Sequence, residues 1–357
     1  MKNKIYILHA TNGRPYFEAV EYYAKNNKIS LEYVETNWLK TLIKIILRKK
    51  CPTCNIKNVI KNFIFFMKVP FLKNNTIIYG TAPYDFRFIW YSILKNKNNF
   101  IYHTSHYKWE NDYEAIFYYK FFNKKVKKIW LKKLKDSKIV CVTKAVEKSI
   151  KNIVKNNKVF QIYHSIDYKR FYNQRNFEKV SKIKILFVGR MVYEKGLDTI
   201  VELVKILDKE KFEFTFVGDG KYRKNIEYIF KEENVNYLGW IKDKNELARI
   251  YKDHHILLNP SIRIKGWEEL FGIVNIEAMA SGMIVIASNH IGPKEIIKNG
   301  RNGFLVEEKD IQKITEILEN LYFNKKLMDN ISRNAIEFAK KFDVKTIANK
   351  WKRVIDA

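Results

Sequence analysis

Cysteine is scarce: Cys51, Cys54 and Cys141 are the only three in 357 residues. Three thiols make no disulfide framework, so the composition points to a reducing compartment. Cys51-Pro52-Thr53-Cys54 is a lone CxxC with no second pair of ligands, and it reads as two ordinary thiols near a helix end rather than a zinc or redox site. Long apolar runs are missing as well. No stretch of about 18 apolar residues occurs, and the most apolar segment, residues 62–72, is cut by Lys68 and Pro70, which argues against a spanning helix. The run Ile5 to Leu8 is too short for the apolar region of a signal peptide and no small-residue cleavage site follows, so the expectation is a soluble or peripheral protein. Acidic residues are few, 38 Asp+Glu against 67 Lys+Arg, for a net charge of +29. That shortage is uneven. Residues 1–180 hold 36 Lys+Arg and 12 Asp+Glu, a difference of 36 − 12 = +24, whereas residues 181–357 hold 31 and 26, a difference of +5. A basic first half beside a nearly balanced second half suggests that only the first meets an extended anionic partner.

What is present is a large supply of core residues. Hydrophobic residues make up 46% and aromatics 15%, which excludes a disordered chain, and the length suits two α/β domains rather than one core. Short β-prone runs at residues 4–9, 31–34, 76–79, 100–103 and 139–143 alternate with helix-length segments, and the pattern restarts at 183–188, 212–217, 235–238, 256–259, 284–287 and 304–306. Strands alternating with helices predict parallel sheets. The expected organisation is a first domain over 1–165, a linker over 166–181, a second domain over 182–340, and a terminal segment, 341–357, whose helix over 344–355 packs back towards the first domain.

In open parallel sheets ligands bind beyond the carboxyl ends of the strands, and the unusual residues fall there. Phe187-Val188-Gly189-Arg190 ends a strand, and Lys195-Gly196 opens the next helix. Two cations beside a helix N-terminus suit a diphosphate, although a solvated loop with two surface cations would look the same. Further on, Trp267-Glu268-Glu269-Leu270-Phe271-Gly272-Ile273-Val274-Asn275-Ile276-Glu277-Ala278-Met279-Ala280-Ser281-Gly282 runs into the strand beginning at Met283. Glu269 falls in the loop before the helix and Glu277 inside it. Carboxylates eight residues apart can accept hydroxyl hydrogen bonds at two ends of one molecule, a sugar and a ribose, while free N–H groups near Phe271, Gly272 and Ile273 face a phosphate.

This segment resembles the E-x7-E signature of the family-four (group 1) retaining GT-B glycosyltransferases, in the form E-x-FG-x4-E-A-M-A-x-G. Gly189-Arg190 with Lys195-Gly196 resembles the family's G-R-x4-K-G. Val217-Gly218-Asp219-Gly220, Leu238-Gly239-Trp240, Leu258-Asn259-Pro260-Ser261, Gly292-Pro293-x-Glu295 and Asn299-Gly300-x2-Gly303 follow in family order. The resemblance implies a GT-B fold, two Rossmann-like domains with parallel sheets facing across a cleft. It implies a metal-independent hexosyltransferase that retains anomeric configuration, with no cofactor and a nucleotide-diphosphate sugar as donor; the expected carrier is UDP ahead of GDP, although the sequence does not name the base. By the same resemblance Arg190 and Lys195 hold the donor diphosphate, Glu277 binds ribose, Glu269 faces the transferring sugar as a catalytic group, and backbone at Phe271, Gly272 and Ile273 contacts sugar and phosphate. Asn12-Gly13 stands where relatives carry a richer glycine loop, which gives Gly13 a place near phosphate or acceptor. His103, with His106 as the substitute, matches a family histidine near sugar and acceptor; a lone histidine is also an ordinary core residue.

Residues 117–138 read FYYKFFNKKVKKIWLKKLKDSK, nine lysines with one acid, Asp136. Phe122, Val126, Ile129, Trp130 and Leu134 share one helical face and lysines crowd the other. Such a helix fits an anionic membrane surface through Lys124, Lys125, Lys127, Lys128 and Trp130, with residues 41–50 and 60–73 extending the patch; a core-packed helix with a solvated basic face has the same pattern. The expected partners are a nucleotide-sugar donor, a glycan or lipid-linked acceptor and the inner face of the cytoplasmic membrane, with no nucleic acid. The products would be cell-surface polysaccharide, capsule, lipopolysaccharide or glycolipid. Rival readings are a nucleotide-sugar epimerase or phosphorylase on the same fold, and a basic protein that binds nucleic acid.

Overall fold

The computed structural model describes residues 4–10, 13–47, 55–107, 109, 123–154 and 158–357; Cys51, Cys54 and Asn12 lie outside them. The chain forms two compact units, Met1–Ser165 with Val344–Ala357, and Ile166–Asp343.

In the first unit, strands β1 (Ile5–His9), β2 (Leu31–Glu35), β3 (Thr76–Gly80), β4 (Asn99–Thr104), β5 (Lys138–Cys141) and β6 (Val159–Gln161) form one parallel sheet in the order β2-β1-β3-β4-β5-β6. Alternate residues feed opposite faces, as the two-residue strand period requires. Ile7, Ile78, Ile101 and Val140 enter one core, and Leu8, Tyr79, Tyr102 and Cys141 the other. The helix Val344–Ile355 belongs to this unit. It packs on the helix Glu18–Asn26 through Ile347, Trp351 and Val354. Two of its last carbonyls are satisfied by side chains, Val354 by the Lys138 ammonium at 3.0 Å and Ile355 by Asn99 at 2.7 Å.

In the second unit, β7 (Ile183–Val188), β8 (Phe212–Val217), β9 (Val235–Gly239), β10 (Ile256–Asn259), β11 (Ile284–Ser288) and β12 (Phe304–Val306) run parallel in the order β12-β11-β10-β7-β8-β9. From β7 the chain winds outward to β9, returns, and winds the other way from β10. The strand order therefore reverses between β7 and β10, the place where open α/β sheets bind ligands. In the first unit the reversal falls between β1 and β3.

Several expectations change. Strand β6, three residues at a sheet edge, has too little apolar period to be read from sequence. Residues 166–181, read above as a linker, are part of the second unit: Phe177 is buried in its core, and the Arg175 guanidinium donates to the carbonyls of Ser281 and Tyr251, each at 2.7 Å. Trp130 is corrected as a membrane contact. It is fully buried, packed between Phe88, Tyr102 and Trp109 with ring centroids at 4.7, 5.3 and 5.5 Å. In the helix Asn123–Leu134 the indole faces the core because an aromatic of this size gains more from burial than from an interface, while Lys125 and Lys128 stay exposed. Lys127 lies over the Tyr84 ring at 5.3 Å; the Lys124 side chain is outside the described residues. No helix among the described residues is long and apolar enough to cross a membrane.

The Trp130 indole N–H has no hydrogen-bond partner among the described residues. Trp130→Ala therefore lowers unfolding free energy by about 3–5 kcal/mol, whereas Trp130→Phe, which also removes an unsatisfied donor, costs far less. Urea unfolding of the two variants checks this.

Candidate active site

The loops that follow β7 and β10 are held against each other by backbone. The Ile262 N–H donates to the Glu194 carbonyl at 3.0 Å. Gly196 adopts φ +67°, and a Cβ there would sit 1.8 Å from the Pro260 oxygen, so only glycine permits this approach. The short 3-10 turn Tyr193–Lys195 thereby points the Lys195 ammonium at the second loop, where it forms an ion pair with Glu269. Both side chains are largely buried, 14% and 13% exposed, and the ammonium also lies 5.3 Å from the Trp267 ring.

Glu269 is fixed by its backbone. Its N–H donates to His290 Nδ1 at 3.1 Å, and its carbonyl accepts from the Gly292 N–H at 3.1 Å. An accepting Nδ1 leaves the proton on Nε2, which donates to Glu308 at 3.0 Å. Glu308 is held in turn by the Arg263 guanidinium at 2.6 Å and backbone N–H at 2.9 Å. Burial, then the charge of Arg263, pushes the His290 pKa below its ordinary value and keeps the ring neutral.

Past Glu269, Phe271 is buried, and Gly272 caps the helix Ile273–Ala280 at φ +80°. A Cβ on Gly272 would lie 2.5 Å from the Asn275 amide nitrogen. Glu277, on the same helix, accepts a 3.0 Å hydrogen bond from the Tyr251 hydroxyl. Burial raises its pKa, against that hydrogen bond and the charges of Lys244 and Arg170. Arg190 is exposed on the other side of the reversal. It lines a pocket of about 540 Å³ with Gly189, Gly218, Asp219 and Gly220, closed by Trp240, Ile241 and Leu247. The structure thus brings Lys195 and Glu269 into contact, sets Phe271, Gly272 and Ile273 directly after Glu269, keeps Glu277 with Tyr251, and leaves Arg190 on the adjacent pocket. His290, Glu308, Arg263 and Tyr251 were missed; only His290, a histidine just after a strand, carried a signal of the kind used for His103.

In the first unit, His103 is the penultimate residue of β4 and is buried, with ring centroids 4.8 Å from Phe17, 5.7 Å from His164 and 5.9 Å from Trp351. Gly13 opens the 3-10 turn Arg14–Tyr16 and sits against His9, whose Cγ would be 2.9 Å from an added Cβ. His106, half-buried, donates its N–H to the Thr104 hydroxyl at 3.2 Å and accepts from the Trp109 indole at 2.5 Å. Four histidines, His9, His103, His106 and His164, thus gather near the carboxyl ends of β1, β4 and β6. Among the described residues no three His, Cys, Asp or Glu are grouped to hold a metal ion. Burial, with the charges of His164 and His9 adding, carries the His103 pKa well below the ordinary value; burial and His9 bring His106 to about 4, and burial brings His164 to about 4.

Two parallel sheets, each with a strand-order reversal, define a doubly wound α/β protein. Comparison adds the likeness: residues 169–338, just under half of the chain, match the family of glycosyl transferases group 1. An uncharacterized glycosyltransferase of Methanocaldococcus jannaschii is 32% identical over 207 residues, 57% of this chain and 55% of that protein. The N,N'-diacetylbacillosaminyl-diphospho-undecaprenol alpha-1,3-N-acetylgalactosaminyltransferase of Campylobacter jejuni is 27% identical over 62% of this chain and 55% of its own. The chain spans about half the length of such curated relatives. The crystal structure of Anabaena HepE in complex with UDP superposes with a TM-score of 0.69 over 99% of both chains at 16% identity, which establishes the GT-B fold class.

The histidine cluster gives a pH dependence. His164 has a folded pKa near 4 against about 6.5 unfolded, so the unfolded chain binds the extra proton between those values and stability rises with pH there. Its contribution is full above about pH 6.5 and is lost as pH falls towards 4, at up to about 1.4 kcal/mol per pH unit. Urea midpoints measured from pH 4 to 7 should fall steeply on acidification in the wild type and less steeply in His164→Gln.

Proposed function

We propose that this chain transfers a sugar from a nucleotide-diphosphate sugar to a glycan or lipid-linked acceptor in cell-surface polysaccharide, lipopolysaccharide or glycolipid synthesis, at an anionic membrane surface. The observation that carries the reading is the Lys195–Glu269 pair, a cation for a diphosphate and an acceptor for sugar hydroxyls held in contact at the strand-order reversal. In this reading the pocket beside Arg190 takes the nucleoside, its apolar wall of Trp240, Ile241 and Leu247 meeting the base, and Glu277 takes the ribose hydroxyls. UDP is the expected carrier; HepE, of the same fold class, was crystallised with it. The name of the Campylobacter relative supports a polyprenyl-diphosphate-linked acceptor.

The reaction exchanges one bond for another. The bond from the anomeric carbon to the diphosphate oxygen breaks, a bond to an acceptor hydroxyl oxygen forms, and the hydroxyl proton leaves with the departing diphosphate or to water. Negative charge grows on the leaving oxygen. Lys195, Arg190 and the N–H groups near Gly272 meet that charge, and fixed donors in a partly dry site are worth far more than in water. No bound metal is invoked. His103, neutral at pH 7, serves as a hydrogen-bond partner for sugar or acceptor rather than as a cation. Retention of anomeric configuration is the family expectation.

Lys195→Ala, Glu269→Ala and Glu277→Ala are each expected to lower transfer by about 10²–10³-fold with the fold intact by circular dichroism. Lys195→Ala should also weaken UDP binding about tenfold or more by calorimetry. A panel of UDP- and GDP-sugars, read by release of nucleoside diphosphate, identifies the donor. Near-normal turnover in all three variants would overturn the site assignment.

A further inference from the structure

The first unit carries a pair of helices whose outer faces are apolar and, among the described residues, exposed. The helix Trp38–Ile46 exposes Leu39, Ile43 and Ile46, with Leu47 beyond its end, at 48–67% of their surface. The helix Ile56–Lys68 buries Val59, Asn62 and Phe65 on one side and exposes Ile56, Ile60, Phe63, Ile64 and Met67 on the other. Residues recurring every three or four positions share one helical face, so this is a continuous apolar stripe. Phe71, 80% exposed, prolongs it. The two helices pack together, with Trp38 against Phe63 at 5.2 Å and against Phe66 at 5.6 Å. Soluble monomers rarely leave contiguous apolar surface of this kind open.

The charges around it have one sign. From residue 36 to residue 84 the sequence holds nine Lys and Arg and not one Asp or Glu. Lys57, Lys61 and Lys68 run along one flank of the stripe, and with Lys4 they line a pocket of about 370 Å³ walled by Ile60, Ile64 and Leu72. Its single acid, Glu32, is taken by Lys4 at 2.6 Å and Lys61 at 3.0 Å. Lys57 and Lys68 form no ion pair among the described residues.

We propose that this helix pair is an interfacial membrane anchor: the stripe of Ile43, Ile60, Met67 and Phe71 enters the acyl boundary of an anionic bilayer, and the Lys57–Lys61–Lys68 flank meets lipid phosphates. Helices of 9 and 13 residues are too short to span a bilayer, which takes about 20 residues, but an apolar face edged by lysines is the form that lies in its surface. A protein partner for the same stripe would need acids opposite every lysine; an anionic bilayer supplies phosphate everywhere along the flank. This deepens the membrane part of the function proposed above and rests on it for the bilayer as partner. It moves the principal contact from the helix Asn123–Leu134 to the helix pair.

The test is sedimentation of the full chain with phosphatidylglycerol-containing phosphatidylcholine vesicles and with pure phosphatidylcholine vesicles. Ile43→Asp/Ile60→Asp/Met67→Asp/Phe71→Asp, at exposed positions that leave the core intact, is expected to weaken vesicle binding by more than about tenfold. Lys57→Gln/Lys61→Gln/Lys68→Gln should abolish the preference for anionic vesicles, and Lys125→Gln/Lys127→Gln/Lys128→Gln should have the smaller effect. Unchanged binding of the aspartate variant overturns the proposal. So does a wild-type chain that ignores vesicles and runs as a dimer which the aspartate variant splits, since the stripe is then covered by a second copy. Consumption of nucleotide sugar without vesicles is read separately: its absence from the wild type sinks the transferase reading, while its persistence in the aspartate variant beside lost vesicle binding isolates the anchor.

Discussion

The ion pair between Lys195 and Glu269 joins two loops that belong to different halves of the second sheet, and the candidate site depends on that joint. A pair so little exposed is weak evidence of net stabilisation, because taking both charges out of water costs nearly what their attraction returns. What it provides is position. Neither side chain can turn away without stranding its partner's charge, and the backbone bond from Ile262 to Glu194 keeps both loops in reach. On the proposed reading this couples two halves of donor recognition. A diphosphate that draws on Lys195 leaves Glu269 short of a partner, and sugar hydroxyls make good the loss. An intact nucleotide sugar then satisfies both groups, whereas a bare nucleotide satisfies one.

Behind Glu269 lies a chain of polar contacts that ends at the surface: His290, Glu308 and Arg263. Its direction is fixed by one observation, the Glu269 N–H that points at His290 Nδ1. From that follow the tautomer of the ring, the acceptor role of Glu308 and the value of Arg263 as its counter-charge. Arg263 also bonds the Asn289 carbonyl at 2.8 Å, so one guanidinium braces the residue before His290 and the carboxylate beyond it. The Glu269 backbone is therefore set by residues after β11 and β12, far from it in sequence.

That dependence explains what sequence could and could not tell. The strands of the second unit were legible because buried parallel strands are short apolar runs between glycine-rich turns; four of its six, β7, β8, β10 and β12, fall on the bounds expected for them. The contact between the Lys195 and Glu269 loops was legible only through resemblance, since nothing local in either loop names the other. The His290–Glu308 link was invisible for the same reason. Trp130 failed differently. Lysines at 124, 125, 127 and 128 around an aromatic suit both a membrane face and a core helix with a wet side, and helical periodicity alone does not say which side is wet. Tyr84, Phe88, Tyr102 and Trp109, from four other segments, decided it.

The apolar stripe on the first unit was legible in outline, since residues 41–50 and 60–73 were expected to extend a membrane patch, but not which of their side chains face outward. Only the folded unit shows that Val59, Asn62 and Phe65 fill the inner side and leave Ile43, Ile60 and Met67 outside. The uneven charge then gains a physical meaning. With 36 cations against 12 acids in residues 1–180, at most a third of those cations can each claim an acid from that half. The rest repel one another, and a compact unit bears that repulsion at the expense of its own stability. The second unit has no such excess; its cations at Lys184, Lys209 and Lys211 are paired with acids. The proposed anionic surface against the first unit would remove the repulsion. On the proposed reading, hydrophobic entry and charge neutralisation act on one face, each too weak for firm attachment alone and sufficient together.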